Sequence, residues 1–132
     1  QSLEIRRAFT AAVHEAYRVV PGVGAYRTGG DTLVLQLPAA EGDPGSRYAV
    51  LGPIKTPDRF GKRVLVDRGD ALEIEYEADY PLEIEPAAFS FDTDDPSAAR
   101  LVTLTFAARP PKGRKPSESP HRCCAAFRSV GP

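Results

Sequence analysis

The 132-residue sequence lacks the features that mark several common classes of protein. It has no run of about twenty apolar residues and no signal-peptide pattern, so neither a transmembrane helix nor a secretory leader is predicted within it. It also lacks a glycine-rich phosphate-binding motif. Its two cysteines, Cys123 and Cys124, are adjacent, and neighbouring residues rarely satisfy disulfide geometry, so no loop-closing disulfide is predicted.

The formal net charge is only -1, which argues against a general nucleic-acid binder. The sign of the charge nevertheless changes along the chain. Between Asp67 and Asp95 the only base is Arg68, whereas after Pro96 seven Lys and Arg residues stand against one acid, Glu118. We expect these acidic and basic parts to attract each other, within one molecule or between molecules, and less strongly at high salt. The basic part has no interleaved aromatic residues for base stacking, so no specific nucleic-acid binding is predicted.

The first twenty residues have the pattern of an amphipathic helix. Apolar side chains recur every three to four residues on one face, namely Ile5, Phe9, Ala12, Val13, Ala16 and Val20. Pro21 and Gly22 then end the helix. We therefore predict a helix over residues 1–20 that packs on a sheet formed by the downstream segments, which gives an α+β domain.

Residues 31–108 are predicted to form an antiparallel β-sheet. Alternating patterns between turn signals predict strands at residues 32–37, 47–51, 62–66, 71–77, 89–91 and 101–108. The segment 52–61 is rich in turn residues, and Pro81 and Pro86 confine residues 82–85 to an edge or irregular segment. In the fourth strand we expect one face to lie in the core, formed by Leu72, Ile74 and Tyr76. The opposite face is expected to be exposed to solvent and is formed by Glu73, Glu75 and Glu77.

The C-terminal part is expected to contribute little core. Four prolines, four bases and two serines in residues 109–120 predict a mobile loop. Residues 121–132 then form a closing segment, with a last edge strand over residues 123–130. The length suits one domain spanning residues 1–132.

One turn contains a candidate calcium site, formed by Asp92, Asp94 and Asp95. Oxygen ligands at alternating positions are how proteins bind Ca²⁺, although the glycine and terminal glutamate of an EF-hand loop are missing. The simpler alternative is a hairpin turn with solvated carboxylates. No other cofactor is predicted.

Two histidines and the two cysteines suggest zinc binding or thiol catalysis, because zinc takes nitrogen and sulfur ligands and a thiolate needs a nearby imidazole. Their spacing does not support either chemistry, since His14 lies on the polar face of the helix and His121 follows the proline-rich segment. No nucleophile, base and orienting group can be assembled from the sequence, so we do not expect an enzyme.

With these elements in view, the chain resembles the soluble part of type IV pilin-like proteins, above all minor pilins and the larger minor pseudopilins of secretion systems. The passage from "LEIRRAFTAAVHEAYRVVPG" into "GGDTLVLQLP" is similar to the end of a pilin spine helix entering its first strand. The segment "AAFSFDTDDPSAARLVTLTFAAR" is similar to the phenylalanine strand, polar turn and late strand of that family, and "AAFRSV" to its closing strand. The match covers most of the chain and contains no invariant chemical signature.

The resemblance implies a non-enzymatic structural subunit of a type IV pilus or type II secretion-like filament, which acts by assembly with other pilin or pseudopilin subunits. It implies a place in the bacterial cell envelope, in the periplasm or a surface filament, with an inner-membrane anchor before assembly. That anchor is an apolar N-terminal half-helix absent from this chain, and because the chain begins with Gln1 we expect a mature or truncated product.

On this interpretation four residues of the helix's charged back face neighbouring subunits, namely Arg6, Arg7, Thr10 and His14. Pilins with a C-terminal disulfide enclose a loop with it, which the adjacent cysteines of this chain do not do. The alternative from another class is a free-standing α+β ligand-binding module or virion structural component. Such a module would use the 52–61 segment or a cleft beside the helix.

Overall fold

A computed structural model describes residues 2–54, 56–83, 88–107 and 121–128. Helix α1 spans Ser2–Glu15, and the segments after it are mainly strands. A short 3-10 helix spans Pro96–Ala98. In chain order the strands are β1 (Arg18–Val19), β2 (Gly22–Val23), β3 (Tyr26–Arg27), β4 (Leu33–Leu37), β5 (Ser46–Ile54), β6 (Thr56–Asp67), β7 (Leu72–Glu83), β8 (Ala88–Phe91), β9 (Leu101–Phe106) and β10 (His121–Ala126).

The helix is shorter than predicted, because it ends at Glu15 and the chain then enters a strand. The backbone N–H of Tyr17 donates to the carbonyl of Gln36 at 2.8 Å, and that of Val20 donates to the carbonyl of Val34 at 3.0 Å. These bonds place β1 antiparallel to β4. Because valine is β-branched and favours strands over helices, the pair Val19 and Val20 follows this pairing rather than the helical period.

The apolar stripe of the helix is confirmed as far as Ala16. Ile5, Phe9, Ala12, Val13 and Ala16 are all fully buried. The last predicted member, Val20, is only partly buried, and Val19 takes its place in the core. Successive residues of a strand point to opposite faces, which explains why the helical period fails at this point.

The strands form two sheets instead of the single predicted one. The first is five-stranded and antiparallel in the order β1-β4-β5-β6-β7, and the second is three-stranded in the order β10-β9-β8, with a small hairpin of β2 and β3. Helix α1 and both sheets share one hydrophobic core, which contains Phe9, Leu35, Leu51, Phe60, Phe89 and Leu104 among others. The predicted α+β class, with an N-terminal helix packed on antiparallel sheet, is confirmed.

The turn-rich segment 52–61 is part of a long hairpin, not a loop. Strand β5 continues to Ile54, β6 begins at Thr56, and Gly52 pairs with Gly61 across the hairpin. Gly52 has a φ of 156°, and an added Cβ would lie 2.8 Å from the carbonyl oxygen of Asp31. Gly52 is therefore required where two backbones lie close together in the sheet. From the sequence alone, such a glycine predicts a turn.

Strand β7 is the end strand of the five-stranded sheet in the described residues and runs through Pro81 to Glu83, so of the two alternatives predicted for residues 82–85, an edge or an irregular segment, the edge describes residues 82 and 83. A proline is compatible with an end strand because one side of such a strand has no ladder partner in the sheet. Residues 84–87, which include Pro86, lie outside the described residues.

A β-bulge in β7 divides the predicted core face of that strand. Val64 pairs with Tyr76 and the next residue, Leu65, pairs with Ile74, so Glu75 is an extra residue. Val64 and Leu65 belong to different hydrophobic clusters on opposite faces of the sheet, and their partners are therefore on opposite faces as well. Neither partner is buried: Ile74 is 57% exposed and Tyr76 52% exposed. The prediction of a buried face on this strand is wrong.

The face of the five-stranded sheet away from α1 carries a second, smaller cluster. It consists of Val23, Val34, Val50 and Leu65, with Val20, Tyr26 and Tyr48 packed against it. The β2–β3 hairpin thus covers part of this face.

The edge strand predicted over residues 123–130 is found in part as β10, which begins earlier, at His121, and ends at Ala126, before Phe127 and Arg128. β10 pairs with β9 over these six positions and is the end strand of its sheet within the described residues. The predicted loop 109–120 and the last four residues of the closing segment, 129–132, lie outside the described residues.

Candidate functional site

The four residues predicted to face other subunits line one groove on the surface of α1. Arg6, Arg7, Thr10 and His14 all contribute to a cavity of about 730 Å³ between the helix and β10. Residues three and four apart are neighbours on a helix, which explains why these four lie together on the side opposite the buried stripe. The structure therefore brings this predicted set together.

The other wall of the groove comes from β10 and was not predicted. Arg122, Cys123 and Cys124 line it, and α1 packs on β10 more extensively than on any other described strand. The contact is nonlocal, joining the two ends of the chain. A basic C-terminal region was visible in the sequence, but its position beside the helix depends on how β10 pairs with β9.

The groove is basic, with three guanidinium groups and one imidazole on its walls. Arg6, Arg7 and Arg122 are exposed, while His14 is half-buried. Within the described parts of the chain, no carboxylate forms an ion pair with Arg7 or Arg122. Leu3 and Ala11 add apolar surface, and Leu3 is 50% exposed. Such a surface suits an occupant that is both acidic and partly apolar.

Cys123 lies where the groove meets the core. Burial raises the pKa of its thiol, and the positive charge of the nearby Arg6 guanidinium opposes this effect without reversing it. The raised pKa keeps the group as a thiol at neutral pH, whereas nucleophilic attack and metal ligation need a thiolate. Both cysteines are free.

The histidines and cysteines do not form a metal site. No group of three or more His, Cys, Asp or Glu side chains able to hold a metal ion occurs among the described residues. His14 lies in the groove, whereas the ring of His121 packs beside Phe106 with centroids 5.1 Å apart.

The three aspartates of the predicted calcium site are not gathered around a common point. Asp92 accepts hydrogen bonds from the backbone N–H groups of Arg100 and Leu101, at 3.0 and 3.2 Å. Asp95 caps the 3-10 helix by accepting from the N–H and the hydroxyl of Ser97. These bonds use the carboxylates to hold the turn, which is what the hairpin-turn alternative expects of Asp92 and Asp95. No group of three or more possible metal ligands occurs in the described parts of the chain, and the calcium site stays a prediction.

Hydrogen bonding has a visible electrostatic effect at Asp92. The N–H of Leu101, followed by that of Arg100, lowers the pKa of the Asp92 carboxyl because both bonds favour its charged form. This carboxylate thereby joins the start of β9 to the end of β8.

The glutamates of β7 have partners in the same molecule that the sequence did not reveal. Glu75 lies 3.1 Å from the Arg47 guanidinium, Glu77 2.7 Å from that of Arg63, and Glu73 3.2 Å from that of Arg68. The bond to Glu77 raises the pKa of Arg63. The side chains of Glu73 and Glu75 remain 59% and 45% exposed, so both keep access to solvent.

The alternative binding regions are less suited to a ligand. Beside the β5–β6 hairpin, a cavity lined by Gly52, Pro53 and Arg63 measures about 10 Å³, which is no more than the space for one water molecule. A larger hollow of about 390 Å³ lies at the 67–69 turn, but its Arg68 is already bonded to Asp43 at 2.6 Å. The groove beside α1 is therefore the candidate site.

Comparison with known proteins gives no relative from which a role could be transferred. No helix in the described parts of the chain is long and apolar enough to cross a membrane. No protein-family model, no curated protein and no solved structure matches this chain.

Proposed function

We propose that the chain is the soluble domain of a minor pilin or minor pseudopilin, a non-enzymatic structural subunit of a type IV pilus or type II secretion-like filament. It acts by assembly with other pilin or pseudopilin subunits through the groove beside α1. The single observation that carries the proposal is the grouping of Arg6, Arg7, Thr10 and His14 along one groove, on the side of the helix that the domain core leaves uncovered.

The two sides of α1 support this role. One side is fully buried from Ile5 to Ala16, which fixes the helix rigidly to both sheets. The other presents arginines without carboxylate partners in the described residues, a surface that steers and selects a charged partner more than it adds affinity. A helix held in this way provides a well-positioned contact surface for a neighbouring subunit.

The chemistry of the groove supports assembly over turnover. Both thiols of the chain line the groove, and the more buried one, Cys123, has a raised pKa that leaves it protonated. We place the working protein in the bacterial cell envelope, anchored in the inner membrane through an apolar N-terminal segment before it assembles.

The test uses the complete gene product in its own cells. Arg7→Glu together with Arg122→Glu reverses two exposed groove charges, and Arg18→Glu together with Arg100→Glu makes the same net change at exposed positions outside the groove. We expect pilin or pseudopilin subunits to co-purify with the wild type and the control but not with the groove variant. Absence of any such subunit from the wild-type preparation would contradict the proposal.

A free-standing ligand-binding module is the second candidate, because about 730 Å³ lies within the range of small-molecule sites. The three arginines would then select an anionic ligand. Calorimetric titration of the isolated chain with small dicarboxylates and phosphate esters tests it. Saturable binding that Arg7→Glu abolishes would favour the module, whereas no heat of binding favours the filament subunit.

A further inference from the structure

We propose that the groove receives strand β7 of a second copy of this chain, so that copies join head to tail with β7 of one lying along β10 of the next. The proposal rests on the assembly role proposed above and names the partner and the contacting element. The main observation behind it is that two surfaces of the same molecule, far apart in sequence, are complementary. One surface is acidic and the other basic, and both expose apolar side chains.

The donor surface is the first half of β7. Within the described residues five large apolar side chains are exposed, and three of them are on this strand. Leu72 and Ile74 lie on one face, and Tyr76, beyond the bulge, lies on the other, so a strand paired along this edge would meet apolar side chains on both faces. Carboxylates alternate with them at residues 73, 75 and 77. The strand ends its sheet in the described structure, so the backbone groups on its outer side have no ladder partner there. Long exposed end strands of this kind favour pairing with another chain.

The acceptor surface is the groove. It offers Arg6, Arg7 and Arg122 to carboxylates, and it contains Leu3, another of the five exposed large apolar side chains. Its floor includes β10, which is the end strand of the second sheet in the described residues. Addition of a strand to such an edge provides main-chain hydrogen bonds, while side chains on alternate positions determine specificity.

The internal ion pairs of β7 do not prevent this contact. Arg68 and Arg47 approach Glu73 and Glu75 from within the molecule, yet those two carboxylates remain about half exposed. An ionised carboxylate accepts several hydrogen bonds, so a guanidinium from a second copy can share it.

The lengths also agree. Strand β10 has six residues, as does the segment from Leu72 to Glu77, and each extends about 20 Å at roughly 3.4 Å per residue. The groove residues run from Leu3 to His14 along α1, about 16 Å at 1.5 Å per residue. One copy of the β7 segment can therefore span the groove.

The geometry of such a contact determines the form of the assembly. Donor and acceptor are different surfaces, so each copy can use both at once, and the contact is heterologous. A heterologous contact that does not close into a ring gives a linear filament. Such an assembly has a direction, because each contact joins β7 of one copy to the groove of the next.

The test uses two variants that each lose one surface. Ile74→Lys places a base on the donor strand at a 57% exposed position, where a substitution has little effect on folding, and Arg7→Glu with Arg122→Glu reverses the acceptor. Sedimentation velocity of the 132-residue chain at low salt should show concentration-dependent oligomers for the wild type. Each variant alone should associate about tenfold or more weakly. The Arg18→Glu, Arg100→Glu control should behave as the wild type.

Mixing the two variants tests whether the contact joins two unlike surfaces. The groove variant can still donate β7 and the Ile74→Lys variant can still accept it, so an equimolar mixture should form heterodimers and nothing larger. A mixture that remains monomeric while the wild type oligomerises would overturn the proposal, because two like surfaces must then be in contact. A wild type that remains monomeric would overturn it as well.

A natural thiol gives an independent measurement. Cys124 is exposed on the wall of the groove, and Ile74→Cys places a second thiol on the donor strand. Diamide should convert this variant into disulfide-linked oligomers, and adding Cys124→Ser should prevent them. Equal cross-linking without Cys124 would contradict the contact. Co-purification of pilins from cells together with a monomeric isolated chain would reject this inference and leave the proposed function standing.

Discussion

Replacing Phe9 with alanine should remove much of the stability of the domain, because this side chain joins the helix to both sheets. Phe9 is fully buried, and its ring centroid lies 6.2 Å from that of Phe89 on β8. Phe89 in turn lies 6.4 Å from Phe60 on β6, and Phe60 lies 6.3 Å from Tyr80 on β7. This row of four rings is the most direct connection between α1, the second sheet and the far side of the first.

The size of the effect follows from the cavity that the substitution leaves. Phe→Ala in a core typically costs about 3–5 kcal/mol, the sum of lost apolar transfer energy and an unfilled cavity. The expected loss at Phe9 is in the upper half of that range, about 4 kcal/mol, since rings of two sheets surround the site and limit its collapse. Domains of this size have about 5–15 kcal/mol in total, so the variant retains only part of its stability.

Urea unfolding followed by circular dichroism measures this loss as the change in the free energy of unfolding at constant m-value. Leu101→Ala is the matched control, because Leu101 is 42% exposed and should change stability by about 0.5 kcal/mol or less. Phe9→Leu should lose less than Phe9→Ala. A loss below about 1 kcal/mol for Phe9→Ala would refute the packing of the helix against both sheets.

Three further results are expected. Hydrogen bonds lower the pKa of Asp92 in the folded state, so its contribution to stability is present above the unfolded pKa of about 4 and is lost as pH falls through the lower folded value. The melting temperature should therefore decline less from pH 6 downwards in Asp92→Ala than in the wild type. Melting temperatures that fall in parallel for the two proteins would contradict this. Gly52→Ala should lower the free energy of unfolding by about 1–3 kcal/mol, because the φ of this residue is 156° and the new Cβ would meet the Asp31 carbonyl. Gly29→Ala, whose new Cβ meets nothing within 4 Å, should be nearly neutral in the same thermal melts. Millimolar Ca²⁺ should leave the melting temperature unchanged, since a ligand must bind the folded state to raise it. A rise in melting temperature that Asp94→Ala abolishes would show that the aspartates bind the ion.

The helix was predictable because its signal is local. Five apolar residues from Ile5 to Ala16 keep the 3.6-residue period, and all five are buried. Its end was not predictable from that period. The bonds from Tyr17 to Gln36 and from Val20 to Val34 belong to a strand that forms only against β4. Patterning within one segment does not report such a distant partner.

Strand β7 shows the limit of reading a strand by alternation. Leu72, Ile74 and Tyr76 alternate with glutamates, which is the usual pattern of a strand with one buried face. The register with β6 shifts at Glu75, and the strand ends its sheet, so neither face is covered where these residues lie. Alternation specifies which residues share a face of a regular strand, but only the neighbouring strands determine whether that face is buried.

The fold likewise determines which charged residues of the sequence pair with one another. We expected the acidic middle and the basic C-terminal part to attract each other, within one molecule or between molecules. Within one molecule, and among the described residues, Glu73, Glu75 and Glu77 pair with arginines at positions 68, 47 and 63. The basic residue Arg122 of the C-terminal part instead joins Arg6 and Arg7 across the groove, where like charges would repel one another without an acidic occupant. Because such repulsion lowers the stability of the isolated domain, an acidic strand bound in the groove should raise its melting temperature. The increase should shrink as added salt screens both effects.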